Sequence, residues 1–155
     1  MPDSSPMLLF VCSHNACRSA IAQVIAADEA QRRGLSLRVE SAGTHALSGY
    51  AAATIAQATL SEIGLSLEHH RSQSANAGLI SNASLVVTMT DLQRDMLHNA
   101  FPQAKDRVLS FDDLTGLGDV ADPTSGDADE VRAVRDQLQS AMPLIFYELK
   151  QRGAT

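Results

Sequence analysis

The sequence predicts a parallel α/β sheet covered by helices on both faces. Short apolar, β-branched runs alternate with longer stretches of helical period. The strand-like runs are apolar throughout rather than every second residue, as strands buried on both faces are. The first run, Met7 to Val11, leads straight into Cys12 and a short loop that opens a helix. That puts reactive chemistry at the carboxyl end of a strand, where such sheets bind ligands. The expected architecture is a three-layer sandwich with four strands, and the loop follows the first of them. Residues 1–155 are of a length that fits one domain with a full core.

Strands are predicted near Met7–Cys12, Leu37–Ser41, Leu85–Thr88 and Arg107–Ser110, and helices over Ser19–Arg33, Ala51–Ile63, Leu92–Asn99 and Asp129–Gln151. A weaker helical pattern surrounds Asn76–Ile80. Gly34 and Gly64 stand just past two of these patterns, as helix-ending glycines do, and Asp91 is the expected N-cap before Leu92. Pro143 falls inside the last pattern and predicts a kink or a restart. The stretch from Asp112 to Asp127, rich in Asp and Gly, reads as a functional loop.

Composition narrows the function classes. Apolar residues make up 45% of the chain, and no stretch approaches a membrane span. A formal charge of -6 argues against a nucleic-acid surface. Both cysteines, Cys12 and Cys17, lie in one loop, so no disulfide framework exists and a reducing cytoplasm is the expected location. The opening MPDSSP carries no basic residue and the apolar run is short, which argues against a secretory leader. His45, His69 and His98 have no companion at metal-ligand spacing and read as surface positions, so neither metal nor cofactor is called for.

The loop itself has the composition of an oxyanion trap with a built-in nucleophile. Five residues (Ser13, His14, Asn15, Ala16 and Cys17) separate Cys12 from Arg18, and Ser19 follows. That spacing lets the backbone curl around a tetrahedral oxyanion with N–H groups inward, and the following helix adds its positive end. Arg18 can bind two oxyanion oxygens at once, and the same positive surroundings favour a Cys12 thiolate able to attack phosphorus. Asn15 tolerates the left-handed conformation that bends such a loop. Ser19 is a candidate donor to the Cys12 sulfur, and Ser41 and His70 are candidates to brace the loop from behind; the plain alternatives are Ser19 and Asn15 as simple caps and His70 as a partly buried surface residue. Phosphoryl transfer also needs an acid for the leaving group. Asp122, stiffened by Pro123, is the candidate: alone, Asp-Pro only opens a turn, but beside Cys-x5-Arg-Ser it reads as the acid.

With these residues in view, V-C-S-H-N-A-C-R-S resembles the low-molecular-weight protein tyrosine phosphatase signature C-x-G-N-x-C-R-S-P. The likeness continues through Ser41-Ala42-Gly43-Thr44, the Gly64-to-His70 stretch, Val86-Val87-Thr88-Met89 and Asp122-Pro123, in order along nearly the whole chain. It implies a phosphotyrosine phosphatase working through a phosphocysteine, with Cys12 as nucleophile, Arg18 as phosphate clamp and Asp122 as general acid. Supporting roles fall to Asn15, Ser19, Ser41 and His70. The implied substrate is a phosphorylated protein. The stretches Ala46-Leu47-Ser48-Gly49 and Leu65-Ser66-Leu67-Glu68 resemble those of bacterial members paired with tyrosine kinases of exopolysaccharide synthesis, so such a kinase is an expected partner.

The departures are specific. His14 replaces the usual glycine, Ala20 the usual proline, and Gln73 a frequent arginine. Thr124 stands where a tyrosine commonly walls the pocket, and Leu47 where some members place a second aromatic. Loss of such stacking is worth about 0.5–1.5 kcal/mol per ring pair. His14-Asn15-Ala16 and the run from Asp122-Pro123 through Asp136 also resemble arsenate reductases of the same fold. Thioredoxin-coupled versions need further cysteines that this chain lacks; a version using an external small thiol needs only Cys12 and is the alternative. Phosphoarginine ranks lower, because arginine-selective relatives carry threonine at the Ala16 position. A non-catalytic phosphate-binding module ranks last.

Overall fold

The computed structural model describes residues 4–123 and 125–155. Four parallel strands, β1 (Met7–Cys12), β2 (Arg38–Gly43), β3 (Leu85–Thr88) and β4 (Val108–Ser110), form one sheet in the order β2-β1-β3-β4. The chain winds one way from β1 to β2 and the other way out to β3 and β4. The carboxyl ends of β1 and β3 therefore flank the topological switch point, where open α/β sheets leave a crevice.

Every residue of β1 is buried, and its alternation divides the core. Leu8, Phe10 and Cys12 pack with α1 (Arg18–Arg32), α2 (Thr54–Ser61), α5 (Phe111–Thr115) and α6 (Ala128–Gln151). Met7, Leu9 and Val11 face Ile80 of α3 (Ala77–Asn82), Leu97 of α4 (Asp91–Ala100) and Ala104 of a 3-10 turn, Pro102–Arg107. These are the two helical layers of the expected sandwich. Alanines at 20, 22, 26 and 30 let α1 lie close to the sheet.

Several local expectations are corrected. The N-cap of α4 is Thr90 rather than Asp91: its hydroxyl accepts from the Gln93 N–H while the Gln93 side chain returns to the Thr90 N–H, a capping box that serves two donors at once. Helix α2 begins at Thr54, three residues later than predicted, and α5 occupies the start of the stretch read as loop. Strand β2 runs two residues past Ser41, to Gly43. Helix α6 neither stops nor restarts at Pro143. The proline lies on the exposed face, as does Gln139 four residues earlier, so the carbonyl left without its intrahelical donor faces water. His98 is half-buried and donates from Nε2 to the Val108 carbonyl at 2.8 Å, so it is not a free surface histidine. Among the described residues no helix is long and apolar enough to cross a membrane.

Candidate active site

Residues 12–18 wrap the carboxyl end of β1, and their carbonyls explain the loop's shape. Cys12 O accepts from Thr44 N (2.9 Å), Ser13 O from His45 N (2.8 Å) and Asn15 O from the His70 ring (2.7 Å). Ala16 O accepts from Ala53 N (2.9 Å) and Cys17 O from Ile21 N (2.8 Å). With these carbonyls tied outward, the N–H groups are left for the concave side, where α1 begins: an anion nest. A carbonyl can only accept, so His70 presents a protonated Nε2 to it.

Asn15 is the only described non-glycine residue with positive φ, at 57°, and its fully buried side chain ties the bend down. Its Oδ1 accepts from Gln73 N (3.0 Å), while Nδ2 donates to Ser19 Oγ (2.8 Å) and Ser41 Oγ (2.9 Å). The Ser41 hydroxyl in turn donates to Gln23 Oε1 at 2.5 Å. Ser19 Oγ lies 2.9 Å from Cys12 Sγ, and the Asn15 N–H points at the same sulfur from 3.3 Å. Both groups are donors that a Cys12 thiolate accepts. Gly43 allows this closeness: a Cβ there would stand 2.5 Å from Ser13 O and 2.8 Å from Ala46 Cβ.

Arg18 is 5% exposed, and its Nη1 donates to the Val120 carbonyl at 2.9 Å. Asp122 follows two residues later, exposed, on the same wall of a cavity of about 370 Å³ that also includes Ser13, Gln93 and Asp119. An adjoining cavity of about 420 Å³ is lined by His14, Ala16, His45, Leu47, Tyr50 and Ser72. Leu47 stands at the mouth as a wall residue, 72% exposed. Tyr50 adds an exposed aromatic ring to that adjoining cavity, at a position the sequence did not single out. The other expected wall residue, Thr124, lies outside the described residues. A third cavity, about 430 Å³, lies behind the loop against Gln23, Ser41 and His70, and neither Cys12 nor Arg18 lines it.

Cys12 and Cys17 are both free thiols. Burial is the main cause pushing the Cys17 thiol up to about 11; the Cys12 charge adds to it and Arg18 opposes it. Among the described residues no three His, Cys, Asp or Glu side chains converge as metal ligands. Gln93, Val120, Gln23, Tyr50 and Asp119 are contributors that the motif search did not reach. Only Gln93 carried a local signal, the Thr90-x-x-Gln93 capping pattern.

A parallel sheet with an anion nest, a buried arginine and a cysteine at its switch point places the chain among cysteine-dependent phosphatases. The profile of the family described as low molecular weight phosphotyrosine protein phosphatase matches residues 7–154, and the chain belongs to that family. It is 32% identical over 146 residues to the protein-arginine-phosphatase of Bacillus subtilis, covering 93% of this chain and 97% of that one. The probable low molecular weight protein-tyrosine-phosphatase EpsP of Ralstonia nicotianae is 33% identical over 117 residues, 75% of this chain and 77% of its own. A crystal structure of a Bacillus subtilis YwlE mutant superposes with a TM-score of 0.88 at 32% identity, covering 94% of this chain and 99% of that chain.

Proposed function

We propose that this chain removes phosphate from a phosphorylated protein side chain through a phosphocysteine on Cys12. The loop N–H groups and Arg18 hold the phosphate oxygens, and Arg18 turns to them from the Val120 carbonyl. The Cys12 thiolate, supported by Ser19 and the Asn15 N–H, forms the S–P bond as the bond to the leaving atom breaks. Asp122 gives its proton to that atom. In the second step Asp122 takes a proton from water, water attacks phosphorus, and the S–P bond breaks to restore the thiolate. The observation that carries this reading is a crevice lined by Ser13, Arg18 and Asp122, with Cys12 next to Ser13 in the chain and its sulfur 2.9 Å from Ser19 Oγ. Cys12→Ser is expected to abolish turnover while still binding phosphate; substantial residual turnover would refute the mechanism.

For the leaving group, the mouth supports phosphoarginine ahead of the phosphotyrosine implied by the loop signature. Asp119 and Asp122 bring two carboxylates to the rim, and Tyr50 an exposed ring. Carboxylates attract a guanidinium and a ring face stacks on it, whereas a phenyl ring gains only from the ring. The similarity to protein-arginine-phosphatases of Bacillus subtilis and Geobacillus stearothermophilus over 93% and 92% of this chain supports the same choice. Ala16, in place of the threonine of arginine-selective relatives, weighs the other way, against the carboxylates and the ring. The test is kcat/KM on a phosphoarginine protein and a phosphotyrosine peptide in parallel, with an arm for arsenate plus a small thiol. Asp119→Asn is expected to lower the phosphoarginine value about 3- to 10-fold, the scale of a partly exposed charge contact, and leave phosphotyrosine nearly unchanged. Faster phosphotyrosine turnover in the unmodified protein would make it the substrate; arsenite production outpacing both would assign the site to arsenate reduction.

A further inference from the structure

Gln93 uses its side chain three times. Its Oε1 accepts from Met89 N and Thr90 N, both at 3.1 Å, and its Nε2 donates to Ser13 Oγ at 3.1 Å. The amide cannot be turned over, because two backbone N–H donors hold the oxygen end. Ser13 Oγ therefore accepts on the Gln93 side. Among the described residues that hydroxyl makes no other hydrogen bond, so its proton is free. Ser13 lies next to the nucleophile and lines the same cavity as Arg18 and Asp122, while Gln93 is 3% exposed at the cavity's base.

We infer that the Ser13 hydroxyl is an additional donor to the bound phosphate, aimed into the crevice by Gln93 as a positioning residue. This rests on one part of the phosphatase reading, that the loop holds a phosphate, and adds a side-chain donor to the backbone nest. Accepting from the Gln93 amide turns the hydroxyl proton away from Gln93 and keeps it available to an incoming acceptor, so donation costs little reorganisation on binding. The arrangement also couples the N-terminus of α4 to the phosphate loop, since one amide both caps the helix and orients the serine.

Calorimetric titration with inorganic phosphate at neutral pH, with kcat and KM on p-nitrophenyl phosphate, tests the inference. Ser13→Ala is expected to weaken phosphate binding about 10-fold, the scale of one hydrogen bond to a charged group. Ser13→Thr, which keeps the hydroxyl, is expected to restore most of it. Gln93→Glu keeps both backbone acceptor bonds and so the cap, but offers Ser13 an acceptor and turns its proton away from the crevice. It is expected to match Ser13→Ala, and the double variant to fall no further than about 2-fold below either. Unchanged phosphate affinity in Ser13→Ala overturns the inference. So does a double variant whose loss is the product of the singles, because Gln93→Glu would then act through its charge and not through Ser13. The titration requires no turnover: phosphate binding without protein dephosphorylation would sink the phosphatase reading and leave this one standing.

Discussion

Two cysteines five positions apart share one loop but not one chemistry. Cys12 lies where donors converge, while burial and the neighbouring Cys12 charge keep the Cys17 thiol protonated up to about 11. Oxidants and alkylating agents are therefore expected to attack Cys12 first. A sulfenic acid on Cys12 can condense with the Cys17 thiol, forming the S–S bond and releasing water, and a reductant then restores both thiols. Activity lost to peroxide is expected to return with dithiothreitol in the unmodified protein and to return far less in Cys17→Ser, where Cys12 proceeds to sulfinic acid. Equal recovery in the two proteins would deny Cys17 a protective role. At this scale the loop was legible because its residues are contiguous. Val120 and Gln93 were not, because they reach the loop from 102 and 80 positions away, and no local pattern encodes such a contact.

Among the elements, β2 and its carboxyl end do the most to shape the crevice. Gly43 pairs with Cys12 in the sheet register and with Ser74 in an isolated bridge, and its missing side chain leaves room for the Ser13 carbonyl. Gly43→Ala would push methyl against backbone, an overpacking that typically costs about 1–3 kcal/mol. Thermal unfolding is expected to move down by about 2–4 °C per kcal/mol, with phosphate affinity falling alongside because the loop itself must shift. A stable variant with intact phosphate binding would show that the loop can yield. Strand positions were readable from short apolar runs with little error. Helix starts were less so: both Asp91 and Thr90 are good caps, and the reciprocal bond to Gln93 decides between them.

Across the molecule, Glu62 ties the C-terminal end of α2 to α6. It accepts from Arg132 Nη2 and Arg135 Nη1, both at 2.7 Å. The bonds from Arg132 first, and from Arg135 second, hold its carboxyl at about 2 instead of the usual 4.5. A pKa lower in the folded state stabilises above the unfolded value and is lost as pH falls through the folded one. The contribution is therefore complete above about 4.5 and disappears toward 2. Glu62→Gln is expected to flatten that part of the melting-temperature profile, the more so at low salt because the group is exposed and screened. An unchanged acid limb would remove Glu62 from the acid response. The layered parallel sheet was legible from strand–helix alternation, whereas the strand order β2-β1-β3-β4 was not, because the same alternation permits other orders. The chemistry of the rim was not, because Tyr50 and Asp119 become neighbours of the crevice only once the chain has closed.

The bond from Arg18 to the Val120 carbonyl spans 102 residues of chain. A polypeptide growing from its N-terminus carries the complete nucleophile loop early, yet its arginine has no carbonyl to rest on until more than three quarters of the sequence has been made. Asp122 arrives two residues later. The proposed nucleophile and proton donor are thus separated in time as well as in sequence: a chain not yet grown to Asp122 holds the loop with no carboxylate beside it, and the proposed hydrolysis must wait for residues 120–122.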